Sequence, residues 1–99
     1  MGARVRRFEL TAGQRMVGVR PGSHYTMVMV REMHSGNLLG SLLFEHHVSP
    51  GGESSNAGLR ASSWTELGQQ RRRENESWER EARLAALDYL LRIMGDGVR

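Results

Sequence analysis

The chain has 99 residues, a formal net charge of +3 and no cysteine. Its length suits one domain with a single modest core, and an apolar content of 38% argues against intrinsic disorder. The lack of cysteine excludes disulfides, thiolate metal sites and thiol nucleophiles. No apolar run approaches the ~20 residues of a membrane span and no signal peptide is evident, so we expect a cytoplasmic protein that does not bind membranes.

The expected fold class is α+β, a four-stranded antiparallel β-meander followed by a long C-terminal α-helix packed on one sheet face. We expect a single domain over 1–99, with the sheet over 4–48, a flexible loop over 49–62 and a helical region over 63–95. Within the loop, the residues from Ser49 to Gly58 are mostly Ser, Gly, Pro and Asn, which is typical of an irregular segment.

Turn-forming residues divide the first half of the sheet. The strands over 5–10 and 15–20 flank Thr11-Ala12-Gly13-Gln14 and are predicted to form a hairpin. The Pro21-Gly22-Ser23 turn follows, in which Gly22 supplies a positive φ. The second predicted strand therefore lies between the first strand and the next one along the chain.

A second hairpin is predicted between the strands over 24–33 and 38–48, which flank Ser35-Gly36-Asn37. Because side chains alternate along a strand, one face of the sheet is expected to seat the helix. The residues expected on that face are Phe8, Leu10, Val17, Val19, Tyr25, Met27, Met29, Met33, Leu38, Leu42 and Phe44. The opposite face carries a smaller apolar patch, a candidate second interface, at Val28, Val30, Leu39 and Leu43.

The helical region follows a capping-box signature, in which Ser63 is followed three residues later by Glu66. Gly95 is the expected C-cap. Either Gly68 or Asn75 could interrupt the helix, because an uninterrupted helix over the whole region would be unusually long.

The last helix carries more apolar surface than one sheet can cover. From Trp78 to Met94 the apolar residues span roughly twice the ~100° stripe that a helix on a monomeric domain needs to bury. A second copy of the chain is the simplest cover, so we expect a homodimer. The expected interface residues are Leu84, Leu87, Leu90, Leu91 and Met94.

Two groups of arginines are candidates for nucleic-acid binding, because guanidinium groups make bidentate contacts with phosphates. The candidate residues are Arg4, Arg6, Arg7, Arg71, Arg72 and Arg73. Glu74 and Glu76 follow the second group, and the helical spacing predicts ion pairs of Glu76 with Arg72 and with Arg80. The alternative interpretation is therefore a solvated helix face that neutralises itself.

The histidines give a candidate metal site. A two-residue Ser-Gly turn would place His24 opposite His47, with Glu45 on the same face, and these groups can ligate a divalent metal. The alternatives are ordinary surface histidines or a pH-sensitive interface. No nucleophile elbow, phosphate loop or pair of carboxylates in a cleft is present, so we expect that the protein is not an enzyme and binds neither a cofactor nor a metal.

Residues Glu81 to Ala86, within the run EREARLAALDYLL, resemble part of the closing helix of double-stranded-RNA-binding domains, which also follows a β-meander. Glu79 stands where that family prefers a basic residue, and the opening helix is missing. The order of four strands and a helix is also similar to small single-strand-binding folds of the transcription-coactivator kind. Neither resemblance transfers a residue role to this chain.

Two functions remain open from the sequence. The first is a small non-enzymatic homodimer that binds nucleic acid through the clustered arginines, with affinity that falls steeply with salt. The second is a protein-binding inhibitor or adaptor, for example one encoded by a virus or mobile element, that occludes a surface of its partner. The absence of catalytic motifs and the short length fit both.

Overall fold

The computed structural model describes residues 2–48 and 54–97. Its strands are β1 (Gly2–Val5), β2 (Phe8–Ala12), β3 (Met16–Val17), β4 (Ser23–Glu32), β5 (Leu38–Val48) and β6 (Ser54–Trp64), and its helices are α1 (Glu66–Glu74) and α2 (Trp78–Gly97). All strand pairs are antiparallel, in the order β1-β2-β4-β5-β6, and β3 pairs with β4. The α+β class is confirmed, whereas the strand count and the single long helix are corrected.

The first predicted hairpin is wrong. The chain turns at Arg6 and Arg7, so that β1 pairs with β2, and β2 then pairs directly with β4. β3 lies on the same side of β4, beside its first residues. The segment around Gly13, which was predicted to turn, instead runs on beside β4, and the Gly13 amide donates to the Met27 carbonyl at 2.8 Å. β2 and β3 therefore form one interrupted strand.

The second predicted hairpin is confirmed, but its register differs from the prediction by one residue. His34 and Gly36 both take a positive φ in the turn. Leu42 pairs with Val28, whereas the predicted register places Met29 opposite it. A one-residue slip moves every side chain of a strand to the other face. Val28 and Val30 are therefore buried under the helices, and the methionines of β4 face the other way.

β6 occupies most of the predicted loop over 49–62. It pairs with β5 along its length, with bulges, although its residues are mainly small and polar. β6 is held by backbone hydrogen bonds to β5, which do not depend on side-chain type. Its composition therefore does not predict a strand. The first part of the predicted loop, residues 49–53, lies outside the described residues.

The helical region begins later than predicted and is divided in two. Ser63 lies in β6, and the N-cap of α1 is Thr65, whose hydroxyl accepts from the Gly68 amide at 3.2 Å. The interruption at Asn75 is confirmed, because α1 ends there at a residue in an extended conformation. Gly95 lies within α2 and does not cap it.

α2 packs across the sheet and closes the core. Small residues on the sheet-facing side of the helix allow its backbone to approach the strands. The buried apolar residues are Val5, Phe8, Leu10, Val28, Val30, Leu39, Leu42, Phe44, Trp78, Ala82, Ala85, Ala86, Tyr89 and Leu90. The other face of the sheet, which we call the open face, is not covered by either helix. Neither described helix is long and apolar enough to cross a membrane.

Candidate nucleic-acid interface

The fold brings Arg7 and Arg72, one from each candidate group, to one end of the sheet, across a cluster of three aromatic rings, whereas Arg4 alternates with the core-facing Ala3 and Val5 and lies on the other face of β1. Phe8 and Trp78 have ring centroids 5.7 Å apart, and Trp64 and Trp78 have centroids 5.2 Å apart, both edge to face. The Arg7 guanidinium lies 5.8 Å from the Phe8 ring centroid, and that of Arg72 lies 5.9 Å from the Trp64 ring centroid. Arginines that are far apart in sequence therefore flank one aromatic cluster.

We call this region the arginine end and define it by the six sequence-predicted residues, Arg4, Arg6, Arg7, Arg71, Arg72 and Arg73. The tight β1–β2 turn presents Arg6 with a positive φ of 56°. Arg7, the next residue, forms an ion pair with Glu81 in the first turns of α2. One of two neighbouring guanidinium groups is thus held by the protein and the other is presented to solvent.

Arg71 is held by two carboxylates. Its Nε lies 2.9 Å from Glu32 Oε2 and its Nη1 lies 3.1 Å from Glu74 Oε1. The hydrogen bond from Arg71 lowers the pKa of the Glu32 carboxyl, and the bonds to both carboxylates raise the pKa of the Arg71 guanidinium. Since Glu32 lies opposite Phe8 in the sheet, Arg71 links α1 to the strands that carry the N-terminal arginines.

Arg72 is also engaged within the protein. Its Nη2 lies 3.4 Å from Glu79 Oε1, and its Nη1 donates to Gln69 at 2.8 Å. Glu79 also accepts a hydrogen bond from the Trp64 indole at 3.2 Å. The Nε of Arg72 is buried and has no hydrogen-bond partner among the described residues.

The predicted ion pairs of Glu76 with Arg72 and Arg80 do not form. The prediction assumed one continuous helix, but α1 ends at Glu74 and the chain bends before α2 begins. Arg72 instead reaches Glu79, seven residues along the chain. The break in the helix thus determines which carboxylate neutralises which arginine.

The remaining residues of the arginine end, Arg4, Arg6 and Arg73, are exposed and make no ion pair within the described part of the chain. Six further arginines, not singled out from the sequence, likewise lack a carboxylate partner there: Arg15, Arg20, Arg31, Arg80, Arg83 and Arg92.

The candidate metal residues are not brought together. His24 pairs with His46 rather than His47, and the two rings stack with centroids 5.9 Å apart. His24 and His46 therefore lie on the helix side of the sheet, while Glu45 and His47 point to the other side. Among residues 2–48 and 54–97, no group of three side chains suited to a metal ion occurs.

Glu45 is instead the centre of a hydrogen-bonded cluster on the open face. Its carboxylate accepts from Ser23 Oγ at 2.6 Å, from the Tyr25 hydroxyl at 3.2 Å and from Arg60 Nε at 2.6 Å. These bonds, that from Ser23 above all, lower the pKa of Glu45 to about 2. The cluster joins three strands and keeps this carboxylate ionised at any ordinary pH.

The candidate dimer residues divide between the core and the surface. Leu90 is 1% exposed and belongs to the core of its own protomer. Leu84 and Leu91 are 41% and 45% exposed, and Leu87 and Met94 are half-buried. Leu84 and Leu91 are therefore the exposed part of the predicted interface, whereas Leu90 is buried and Leu87 and Met94 also pack against the core of their own protomer.

Comparisons of the chain with protein-family models, with curated proteins and with solved structures each give no match.

Proposed function

We propose that the chain is a small non-enzymatic module that binds nucleic acid as a homodimer, through the arginine end. The observation that carries this proposal is the set of exposed guanidinium groups without a carboxylate partner among the described residues, Arg4, Arg6 and Arg73 in this region. Exposed arginines of this kind attract polyanions and release the condensed counterions when they neutralise phosphates.

The paired and unpaired arginines have different roles in this proposal. Arg4, Arg6 and Arg73 contact phosphates, because no internal ion pair must break first. Arg7 and Arg71 hold the surface in shape, since their pairs with Glu81 and Glu32 join α2 and α1 to the sheet. The proposal therefore assigns affinity to the first group and stability to the second.

The aromatic cluster does not supply stacking platforms for bases. Phe8 and Trp78 are buried, and Trp64 is half-buried against Trp78. Base stacking requires an aromatic face that is open to solvent. Contacts to phosphates fix the position of a protein on nucleic acid but carry no sequence information, so we expect binding with little sequence preference.

Fluorescence anisotropy with labelled DNA and RNA oligonucleotides tests this function. We expect the triple variant Arg4→Ala/Arg6→Ala/Arg73→Ala to bind roughly tenfold or more weakly at low salt, because it loses three phosphate contacts. Its slope of log affinity against log salt is expected to fall by about 3 for each protomer that contacts the oligonucleotide, at ~0.9 per contact on duplex DNA.

The matched control is the triple variant Arg15→Ala/Arg20→Ala/Arg92→Ala. These arginines are also exposed and without an ion pair among the described residues, and the variant loses the same net charge. Equal losses in the two variants would mean that net charge alone attracts the oligonucleotide. Unchanged affinity in the first variant would contradict the proposal.

Protein binding is the second candidate function, and the open face of the sheet favours it. Met16 and Met27 are exposed there, with half-buried Met29 and Leu43 beside Met27. Flexible methionine side chains adapt to varied partner surfaces. An inhibitor or adaptor of this kind would lose its partner on Met27→Asp, whereas Val17→Asp, at an exposed position on the other face of β3, would leave the complex intact.

A further inference from the structure

The outer side of α2 carries an apolar ridge that the rest of the chain covers only in part. Leu84 and Leu91 are exposed, and Leu87, which is half-buried and also packs against the edge of the core, lies beside them. On a helix that turns 100° per residue, Leu84 and Leu91 lie opposite the side formed by Ala82 and Ala86, which is buried against the sheet, and Leu87 lies on the flank. The ridge therefore points away from the domain, where another helix can reach it.

The spacing of the ridge is that of a coiled-coil seam. Leu84, Leu87, Leu91 and Met94 alternate steps of three and four residues, as the a and d positions of a heptad do. Arg83 then occupies a g position and Asp88 an e position, on opposite flanks of the seam. Both are exposed, and neither makes an ion pair within the described part of the chain.

We propose that a second copy of this chain covers the ridge, with the two α2 helices parallel and in register. Each leucine of the seam then packs against its own counterpart. In a parallel pair, the g side chain of one helix reaches the e position of the next heptad on the other. Arg83 of each copy thereby meets Asp88 of the other, which gives two symmetry-related ion pairs.

The charges beside the seam disfavour the antiparallel arrangement. Antiparallel helices bring e positions next to e positions, and both e residues beside this seam, Glu81 and Asp88, are acidic. Like charges facing each other destabilise such a pair, and Arg83 would have no acidic residue opposite it. Arg80, one turn before Leu84, ends the apolar seam, and its long side chain turns to solvent in the parallel pair.

This inference rests on the homodimer included in the proposed function and specifies its geometry. Because Arg7 pairs with Glu81 in the first turns of α2, the arginine end lies at the N-terminal end of that helix. Parallel helices place both arginine ends at the same end of the dimer. One nucleic-acid molecule can then contact both protomers, which raises affinity without a new kind of contact.

A single introduced cysteine tests the orientation, since the natural sequence contains none. Leu84→Cys lies at an a position, where parallel helices in register bring the two Cα atoms within the ~4.4–6.8 Å that a disulfide requires. In the antiparallel pair that aligns the whole seam, centred on residue 89, the two Cys positions are separated by roughly 15 Å along the helix axis. We expect the oxidised variant to run as a covalent dimer on a non-reducing gel, while Arg92→Cys, away from the ridge, stays monomeric there.

Charge reversal is the second test and uses sedimentation equilibrium. Arg83→Asp and Asp88→Arg should each weaken dimerisation by roughly tenfold, because two ion pairs become two repulsions. The double variant should recover affinity close to that of the wild type, because the pairs form again with the charges exchanged. Circular dichroism checks that each variant keeps its helices.

The outcomes separate this inference from the proposed function. A covalent dimer together with rescue in the double variant supports the parallel arrangement. A wild-type dimer without the crosslink and without rescue overturns the orientation but leaves the homodimer. A chain that remains monomeric at all concentrations overturns both the ridge pairing and the homodimer. If that monomer still binds oligonucleotide, only the nucleic-acid binding by the arginine end is retained from the proposed function.

Discussion

The fold disfavours the protonated form of His46. This residue is 1% exposed, and its Nε2 shares a 3.0 Å hydrogen bond with the Thr26 hydroxyl. Burial lowers the pKa of His46, and the nearby charges of His24, Arg15 and His47 lower it further. Its Nδ1 is buried without a hydrogen-bond partner among the described residues, so a proton added there would have nothing to stabilise it.

The lowered pKa of His46 predicts that acid destabilises the fold. Above the unfolded pKa of ~6.5 the histidine is neutral in both states. As the pH falls below that value, the unfolded chain binds a proton that the folded chain resists, so the free energy of unfolding decreases. We expect a lower urea midpoint at pH 5.5 than at pH 7.5, and a smaller difference in His46→Gln, which cannot titrate.

The control for this experiment is His34→Asn, at an exposed turn position with a positive φ that asparagine tolerates. It should keep the pH dependence of the wild type. Glu45, with a pKa of about 2, remains ionised throughout this pH range and does not contribute. Equal pH dependence in His46→Gln and the wild type would show that another group titrates.

Gly68 allows α1 to lie directly against β5. A Cβ at this position would overlap the carbonyl oxygen of Leu39, which belongs to the backbone and cannot turn aside. Gly68→Ala should therefore lower the free energy of unfolding by about 1–3 kcal/mol, although alanine is the better helix former. Gly58→Ala, with no atom within 4 Å of the added Cβ, is the control, and equal effects of the two changes would refute this close packing.

At the scale of elements, two adjacent leucines of α2 have different environments and therefore different roles. Leu90 lies in the core and Leu91 on the ridge. We expect Leu90→Ala to lower the free energy of unfolding by about 2–5 kcal/mol at any protein concentration. Leu91→Ala should lower it only at concentrations where the dimer is populated, because dimerisation adds stability by mass action.

Thermal unfolding at two protein concentrations distinguishes the two leucines. A large loss in Leu91→Ala at high dilution, where the chain is monomeric, would place that side chain in the core instead. A small loss of unfolding free energy in Leu90→Ala would contradict the assignment of Leu90 to the core.

The strands show where local sequence patterns stop being informative. The second hairpin was predictable because Ser35, Gly36 and Asn37 favour a turn, but its register was not. The turn contains two positive-φ residues and a bulge follows Val30, and neither follows from composition. β6 was hidden because small polar residues resemble a loop, whereas its position beside β5 depends on contacts that are distant in sequence.

The candidate site was predictable in its residues but not in its pairing. The arginine clusters are visible in the sequence, and the fold brings one member of each to the same end of the sheet. Which guanidinium groups remain free depends on long-range partners, such as Glu32 for Arg71 and Glu81 for Arg7. These partners lie 39 and 74 residues away, so helical spacing rules could not identify them.

At the scale of the whole molecule, the helix side of the sheet forms the core, and two apolar regions remain at the surface. The open face carries exposed methionines, and α2 presents its leucine ridge. The arginine end lies beside the first turns of α2, close to one end of that ridge. In the proposed dimer the order of layers is sheet, helix, helix, sheet, with both arginine ends on one side.

The most direct test of the central claim is the molar mass of the wild-type protein by light scattering, with and without a mixed pool of DNA and RNA oligonucleotides, at low and high salt. We predict that the protein without oligonucleotide has the mass of a dimer. With oligonucleotide it should form a heavier complex at low salt, which dissociates at high salt. A protein whose mass does not change with oligonucleotide at any salt concentration would contradict nucleic-acid binding by the arginine end.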